Sequence, residues 1–334
     1  MFDKITLCFD KHGCPSRCKH CWITPTPNIR MEDTLIESVI KDASQFSDKV
    51  EVYRWSREPD FKSDYKEEWE KSVSQSINTF PQRFELLSDY RLVRDSEYIE
   101  WLKAFDINTY QLTLFGLEEL TNHYTGRPNA FNEVIEATNI ILDEGLIPRW
   151  QFFAYQDTIK ELEAVLQLID DLKLRERSIE NGGEFKFFVH EGSCDGVAVN
   201  LYDKWITIDD LNLIPDEYNQ CSTTTEKELL DSLVQADLKS IVVKEPVFYV
   251  DSALNVYPND STSKGFLLGN LNNCQFEDCI NTYFRQTSKA QKLIVKIDIS
   301  ELKQVGFPTN KVFSKDDYLI YLINKYLELN PDFC

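Results

Sequence analysis

ITLCFDKHGCPSRCKHCWI, residues 5–23, runs from a β-branched, apolar strand pattern into a loop that carries Cys14, Cys18 and Cys21. Ile5 to Phe9 reads as a buried strand, and the Gly13-Cys14-Pro15-Ser16 step ends it. Three cysteines at CxxxCxxC spacing on so short a loop can turn their thiolates toward one soft metal centre. Three ligands leave a coordination position open for chemistry. Spacing alone also allows structural zinc, with His12 or His20 as the fourth ligand.

The rest of the chain shows what carries this loop. Strand patterns fall at residues 5–9, 50–54, 84–87, 108–114, 149–154 and 184–189, with helix-period segments near 32–46, 64–79, 96–105, 129–144 and 158–173 between them. Such alternation predicts an α/β fold, a partial (β/α)6 TIM-like barrel. The cysteine loop then lies at the C-terminal end of the first strand, where barrels place their active sites. A structural zinc site has no such preference.

Beyond residue 190 the alternation stops. "HEGSCDG" opens a polar stretch to about Thr225, and a helix follows over 226–238. "PVFYVDSALNVYP" reads as a β-hairpin turning at Ser252 to Asn255, followed by the polar loop "NDSTSKG". The tail closes on an amphipathic helix opened by Ser314, with Tyr318, Leu319, Leu322 and Tyr326 on one face. The expected division is a barrel domain, 1–240, and a small hairpin-plus-helix appendage, 241–334.

Composition narrows the function. The 334 residues carry a net charge of −20, which disfavours nucleic acid as a partner, and 42% are hydrophobic, with no run long enough to span a membrane. The N-terminus lacks the pattern of an export signal, so a cytoplasmic location is expected. Nine unevenly spaced cysteines in a reducing compartment favour a metal or cluster over disulfides.

With its position after a first strand, "CPSRCKHC" at residues 14–21 resembles the radical SAM superfamily. The resemblance implies that Cys14, Cys18 and Cys21 hold a [4Fe-4S] cluster, whose open iron binds the amino and carboxylate groups of S-adenosyl-L-methionine. His20 takes the place of a family aromatic near the adenine. "SREP" at 56–59 matches the family's "GGEP" in Glu58 and Pro59, which makes Ser56 and Glu58 candidates for holding the methionine amino group. Ser56 and Arg57 replace the two glycines that would let backbone carbonyls approach the ligand, and Arg57 reads as a surface loop residue. "QLTLFGLEELTNHYTGRPNAF", Gln111 to Phe131, is similar to the family's fourth strand and following segment. It implies Thr113 near the ribose and Arg127 paired with the cofactor carboxylate, while His123 reads as a packing or capping residue.

"FYVDSALNVYPNDSTSKGFLLGNL", Phe248 to Leu271, resembles the hairpin of the superfamily's SPASM/twitch extension, with Asn259 where an auxiliary-cluster cysteine usually stands. Cys194, Cys221, Cys274 and Cys279 remain as four candidate ligands of a second cluster. Cys194, in "HEGSCDG", is also a candidate catalytic thiol that returns a hydrogen atom to a substrate radical, as in epimerases; the other reading is a small buried hydrophobe. His190, Glu191 and Asp195 of that loop are polar enough to line a pocket.

The function implied is reductive cleavage of S-adenosylmethionine and hydrogen-atom abstraction by the 5′-deoxyadenosyl radical from a small-molecule or peptide substrate, leading to epimerisation or another modification. Lys11, Arg17 and Lys19 would offset the cluster's negative charge and dock an acidic electron donor of flavodoxin or ferredoxin type. The alternative is a zinc- or cluster-binding interaction module without this chemistry.

Overall fold

The computed structural model describes residues 1–233, 242–259, 261–296, 299–302 and 304–333. The chain opens with β1 (Ile5–Phe9), α1 (Asp33–Ala43), β2 (Val50–Tyr53) and α2 (Tyr65–Gln75). Short helices α3 (Asp89–Leu92) and α4 (Ser96–Leu102) lead to β3 (Thr109–Leu114), α5 (Glu118–Thr125), α6 (Ala130–Asp143) and β4 (Ile147–Ala154). Next come α7 (Leu162–Asp171), α8 (Leu174–Glu180), β5 (Lys186–Glu191) and α9 (Glu226–Leu233). The remainder holds β6 (Val247–Val250), β7 (Asn255–Pro258), β8 (Gly269–Asn270), α10 (Phe276–Phe284), α11 (Lys289–Lys296), α12 (Ile299–Leu302) and α13 (Lys315–Leu329). No described helix is long and apolar enough to cross a membrane.

The expected β/α series is present as a partial barrel of parallel strands with helices outside. β3, β4 and β5 pair in parallel, and their alternation sorts the side chains. Tyr110, Leu112 and Leu114 of β3 are buried, as are Trp150 and Phe152 of β4, and they pack on Val134, Ala137 and Ile141 of α6. Thr109, Gln111 and Thr113 are half-buried on the opposite face. In α1, Ile36, Val39, Ile40 and Ala43 recur at the helical period and cover β1 and β2.

The structure departs from the expectation in two places. The run at 84–87 forms only one parallel bridge, Leu86 to Gln111. It stops there because Ser88 turns the chain to cap α3, accepting a hydrogen bond from the Arg91 amide. Helices α10 and α11 occupy a stretch that carries no assignment in the sequence reading. Past Leu233, the helix expected over 226–238 lies outside the described residues, as does the proposed boundary at 240.

The hairpin's attachment is not addressed by the sequence reading. β6 pairs in parallel with β1, Leu7 opposite Phe248, giving a sheet ordered β2-β1-β6-β7-β8. Phe248, Val250 and Val256 share one core with Ile5, Leu7 and Phe9. Sheet and core are therefore continuous between the first strand and the hairpin.

Candidate functional site

The cysteine loop leaves β1 and is clamped from both sides. The amides of Arg17 and Lys19 donate to the carbonyls of Thr125 (3.0 Å) and Tyr124 (2.8 Å), at the end of α5. The amides of Val197 and Ala198 donate to the Cys21 carbonyl at 3.0 and 3.2 Å. Both clamps need glycine. A Cβ on Gly126 (φ +62°) would lie 2.5 Å from the Arg17 carbonyl oxygen, and one on Gly196 (φ +54°) would lie 2.3 Å from that of Trp22. Hence "TGR" and "CDG" supply the walls between which the loop sits.

The hairpin side supplies a third contact. The Thr24 amide and hydroxyl donate to Thr262 Oγ1 at 2.7 Å and to its carbonyl at 2.9 Å, and Ser252 donates to the Pro27 carbonyl at 2.5 Å. Arg57 is buried, in contrast to the surface position expected. It holds Asp10 at 2.7 Å, the Thr26 carbonyl at 3.1 Å and Asn28 at 3.2 Å. The arginine in "SREP" thereby ties the β2 loop to the cysteine loop.

Cys14, Cys18 and Cys21 line one cavity of about 1230 Å³ together with His20, Ser56, Glu58, Thr113 and Arg127. The three thiols do not all lie within 4.8 Å of one another, among the described residues. Burial, with the nearby Cys21, pushes the Cys18 thiol up to about 12, and burial also raises Cys14 and Cys21. Neutral thiols of this kind ionise only when a cationic centre compensates them.

The other candidates have definite partners. Glu58 accepts a hydrogen bond from Ser88 Oγ at 2.6 Å; burial and then the neighbouring Asp89 raise it to about 8. His20 lies between Phe115 and Phe153, both ring centroids at 4.6 Å, and burial lowers it to about 3. Arg127 is already committed within the protein, to Asp89 at 2.6 Å, to Glu133 and to Ser16 Oγ at 3.2 Å. Of the loop's three cations, Lys11 is buried in a pair with Asp33 and Lys19 contacts His123, leaving Arg17 exposed.

Cys194 has a different position from the one a hydrogen donor requires. Its side chain is fully buried in a core cluster that also holds Phe115, Tyr124, Tyr155 and Trp205, and it is not among the residues that line the cavity. The geometry matches the small buried hydrophobe. Nor do the four remaining cysteines converge. Cys194 sits in that aromatic cluster, Cys221 borders the core under β4 and β5, and Cys274 and Cys279 lie together at 3.8 Å under β8.

The far wall of the cavity was not legible in the sequence as a unit. Gln111 of β3, Gln151 of β4 and His190 of β5 stand side by side and hydrogen-bond in a chain that Arg149 extends. Phe153 and Phe188 flank them, and Glu191, Ser193 and Asp317 complete that end. The half-buried alternate positions of β3 and β4 were the available signal. Asp317 had none, because only the docking of α13 brings it in. It accepts from Ser193 Oγ at 2.7 Å and the Cys194 amide at 3.3 Å. Asp195 is buried and bonded to Asn324, away from the cavity.

A parallel barrel with three cysteines facing an interior cavity from the loop after its first strand defines the class of protein. The family model "Radical SAM superfamily" matches residues 11–169, so that stretch of the chain is a radical SAM domain, and the cofactors of that superfamily are a [4Fe-4S] cluster and S-adenosylmethionine. Among solved structures, Streptococcus suis SuiB bound to precursor peptide SuiA shares 13% identity over 94% of this chain and 76% of its own, with a TM-score of 0.52. A further crystal structure of Streptococcus suis SuiB gives 14% identity, 94% and 77% coverage and a TM-score of 0.50. Native anSMEcpe with bound AdoMet and Cp18Cys peptide gives 15%, 98% of each chain and 0.48. At these identities the SuiB likeness concerns the fold alone. No curated protein matches by sequence.

Proposed function

We propose that Cys14, Cys18 and Cys21 hold the [4Fe-4S] cluster, with S-adenosylmethionine beside it, and that the enzyme abstracts a hydrogen atom from a polar small-molecule or peptide substrate. The observation that carries this reading is the cavity itself. At about 1230 Å³ it exceeds what one drug-sized ligand requires and is lined both by the three cysteines and by a row of hydrogen-bonding side chains. When bound, the cofactor pair supplies an electron and a carbon radical able to attack an unactivated C–H bond.

The chain's own residues position and exclude. Glu58 and Ser56 would receive the methionine ammonium, Thr113 the ribose, and His20 the adenine face. Arg127, held by Glu133 and Asp89, would stiffen the "TGR" wall and offer its remaining surface to the cofactor carboxylate. Gln111, Gln151 and His190 would orient substrate polar groups. Glu191 and Asp317 favour an amine-bearing or basic substrate. A peptide is supported by the SuiB structure, which holds a precursor peptide. Arg17 would contribute to docking an acidic electron donor.

The test is anaerobic reconstitution of wild type and a Cys14, Cys18, Cys21 to Ala variant, with iron and 5′-deoxyadenosine measured after reduction. About four irons per chain, and cofactor cleavage lost together with them in the variant, is the expected result. Zinc in place of iron, or iron without cofactor cleavage, would support the interaction-module alternative.

A further inference from the structure

Outside the cavity, at the root of the cysteine loop, His12, Asp64 and Glu68 present one ligand atom each, all within 4.8 Å of one another. His12 Nε2 is 3.5 Å from Asp64 Oδ1 and 3.8 Å from Glu68 Oε1, at or beyond hydrogen-bond length. Each of these three atoms is buried and has no hydrogen-bond partner among the described residues. The Glu68 side chain is only 8% exposed; its other oxygen is bound by Arg54, so Oε1 is left aimed at the histidine. A space of about 30 Å³, room for one ion or water, is lined by all three residues.

Three buried atoms without a hydrogen-bond partner facing one small space would be costly without a shared ligand, since His12 Nε2 meets both carboxylates only at or beyond hydrogen-bond length. Donors at about 2.1 Å from one ion, spread by about 110–120°, stand roughly 3.4–3.6 Å apart, close to the two separations seen. One imidazole nitrogen with two carboxylates suits a borderline divalent ion such as manganese, iron or zinc. We propose that His12, Asp64 and Glu68 form a second metal site, separate from the cysteine loop, for a divalent transition-metal ion.

The sequence context gives it a role. His12 is two residues before Cys14, Asp64 is the N-cap of α2, and Glu68 is one turn into that helix. An ion there fastens the start of the cysteine loop to α2. Arg30 is the competing cation: it lies 3.2 Å from Asp64 and 3.8 Å from Glu68, on a side chain 60% exposed and free to swing away. Lys71, at 4.0 Å from Glu68, is drawn off by Asp33 and Glu67.

The holoenzyme, with its cysteines occupied by the cluster, is titrated with manganese(II), and the free ion is followed by electron paramagnetic resonance. Wild type should bind one ion per chain. H12Q and E68Q should each lose affinity at least about tenfold, and R30A should bind at least as tightly as wild type. The same ion should raise the melting temperature of wild type but not of H12Q. The absence of binding by wild type would overturn the site, as would H12Q and E68Q that match wild type. R30A losing binding as H12Q does would also overturn it, since that result reflects the fold of the loop and not ligation. E68Q also removes a partner of Arg54, so H12Q, whose imidazole has no other cation to hold, is the deciding variant if E68Q is unstable.

Discussion

Gly196 stands where the Cys21 carbonyl and its neighbours press against the "HEGSCDG" loop, with no room for a side chain. Alanine there must take up φ +54° and displace the Trp22 carbonyl, a cost of about 1–3 kcal/mol for the backbone conformation alone. G196A should therefore assemble its cluster poorly, measured as a clear fall in iron per chain after reconstitution. G182A is the control. Gly182 has φ +82° but nothing within 4 Å of its missing Cβ, so that variant pays conformational strain without touching the loop. It should lose some stability and retain normal iron content. Equal iron in both variants would mean the Gly196 clamp does not seat the loop.

Two helices are joined to β2 by buried charge. Arg54 of the β2 loop binds Glu68 of α2 and Asp33 of α1, and Asp33 also receives Lys11 and Lys71. Burial alone would raise the Glu68 carboxyl, but Arg54 and the adjacent His12 outweigh it and bring it from 4.5 down to about 2. Burial would likewise raise the Asp33 carboxyl, but Lys11, Lys71 and Arg54 overcome it and hold Asp33 well below the usual carboxylate range. A carboxylate depressed in the folded state stabilises it fully above its unfolded value and loses that contribution as pH falls toward the folded value. In the cluster-free protein these two carboxylates should accordingly make the urea midpoint fall as pH drops from about 4.5 toward 2. E68Q should flatten that slope, and an unchanged slope would place the acid sensitivity elsewhere.

At the scale of the molecule, β6 is the strand that covers β1, so the hairpin and the barrel should unfold together. Phe248 of β6 is fully buried and meets Phe276 and Tyr283 edge-on at 5.6 and 5.3 Å. F248A should cost about 3–5 kcal/mol and shift one cooperative transition as a whole. Two transitions, with only the second moved, would show that the hairpin is an independent unit. The closing helix also belongs to the whole. α13 packs Tyr318, Tyr321 and Leu322 against Phe115, Tyr155 and Trp205, and carries Asp317 to the cavity wall.

The sequence by itself determined the β/α alternation and the cysteine loop after β1. Apolar periodicity and short-range spacing are local properties that survive without any knowledge of the fold. The Ser314 cap on α13 was legible for the same reason, since its hydroxyl accepts from the Asp317 amide three residues on. Only the tertiary structure decided that Cys194 is buried in an aromatic-rich core, that the Arg57 side chain is buried under the loop, and that Arg127 is held by two carboxylates. The polar wall of Gln111, Gln151 and His190 likewise exists only through the parallel register of β3, β4 and β5. The hairpin's place beside β1 joins residues more than 200 apart, Leu7 with Phe248. Such pairings are set by the packing of the complete core, which no local pattern encodes.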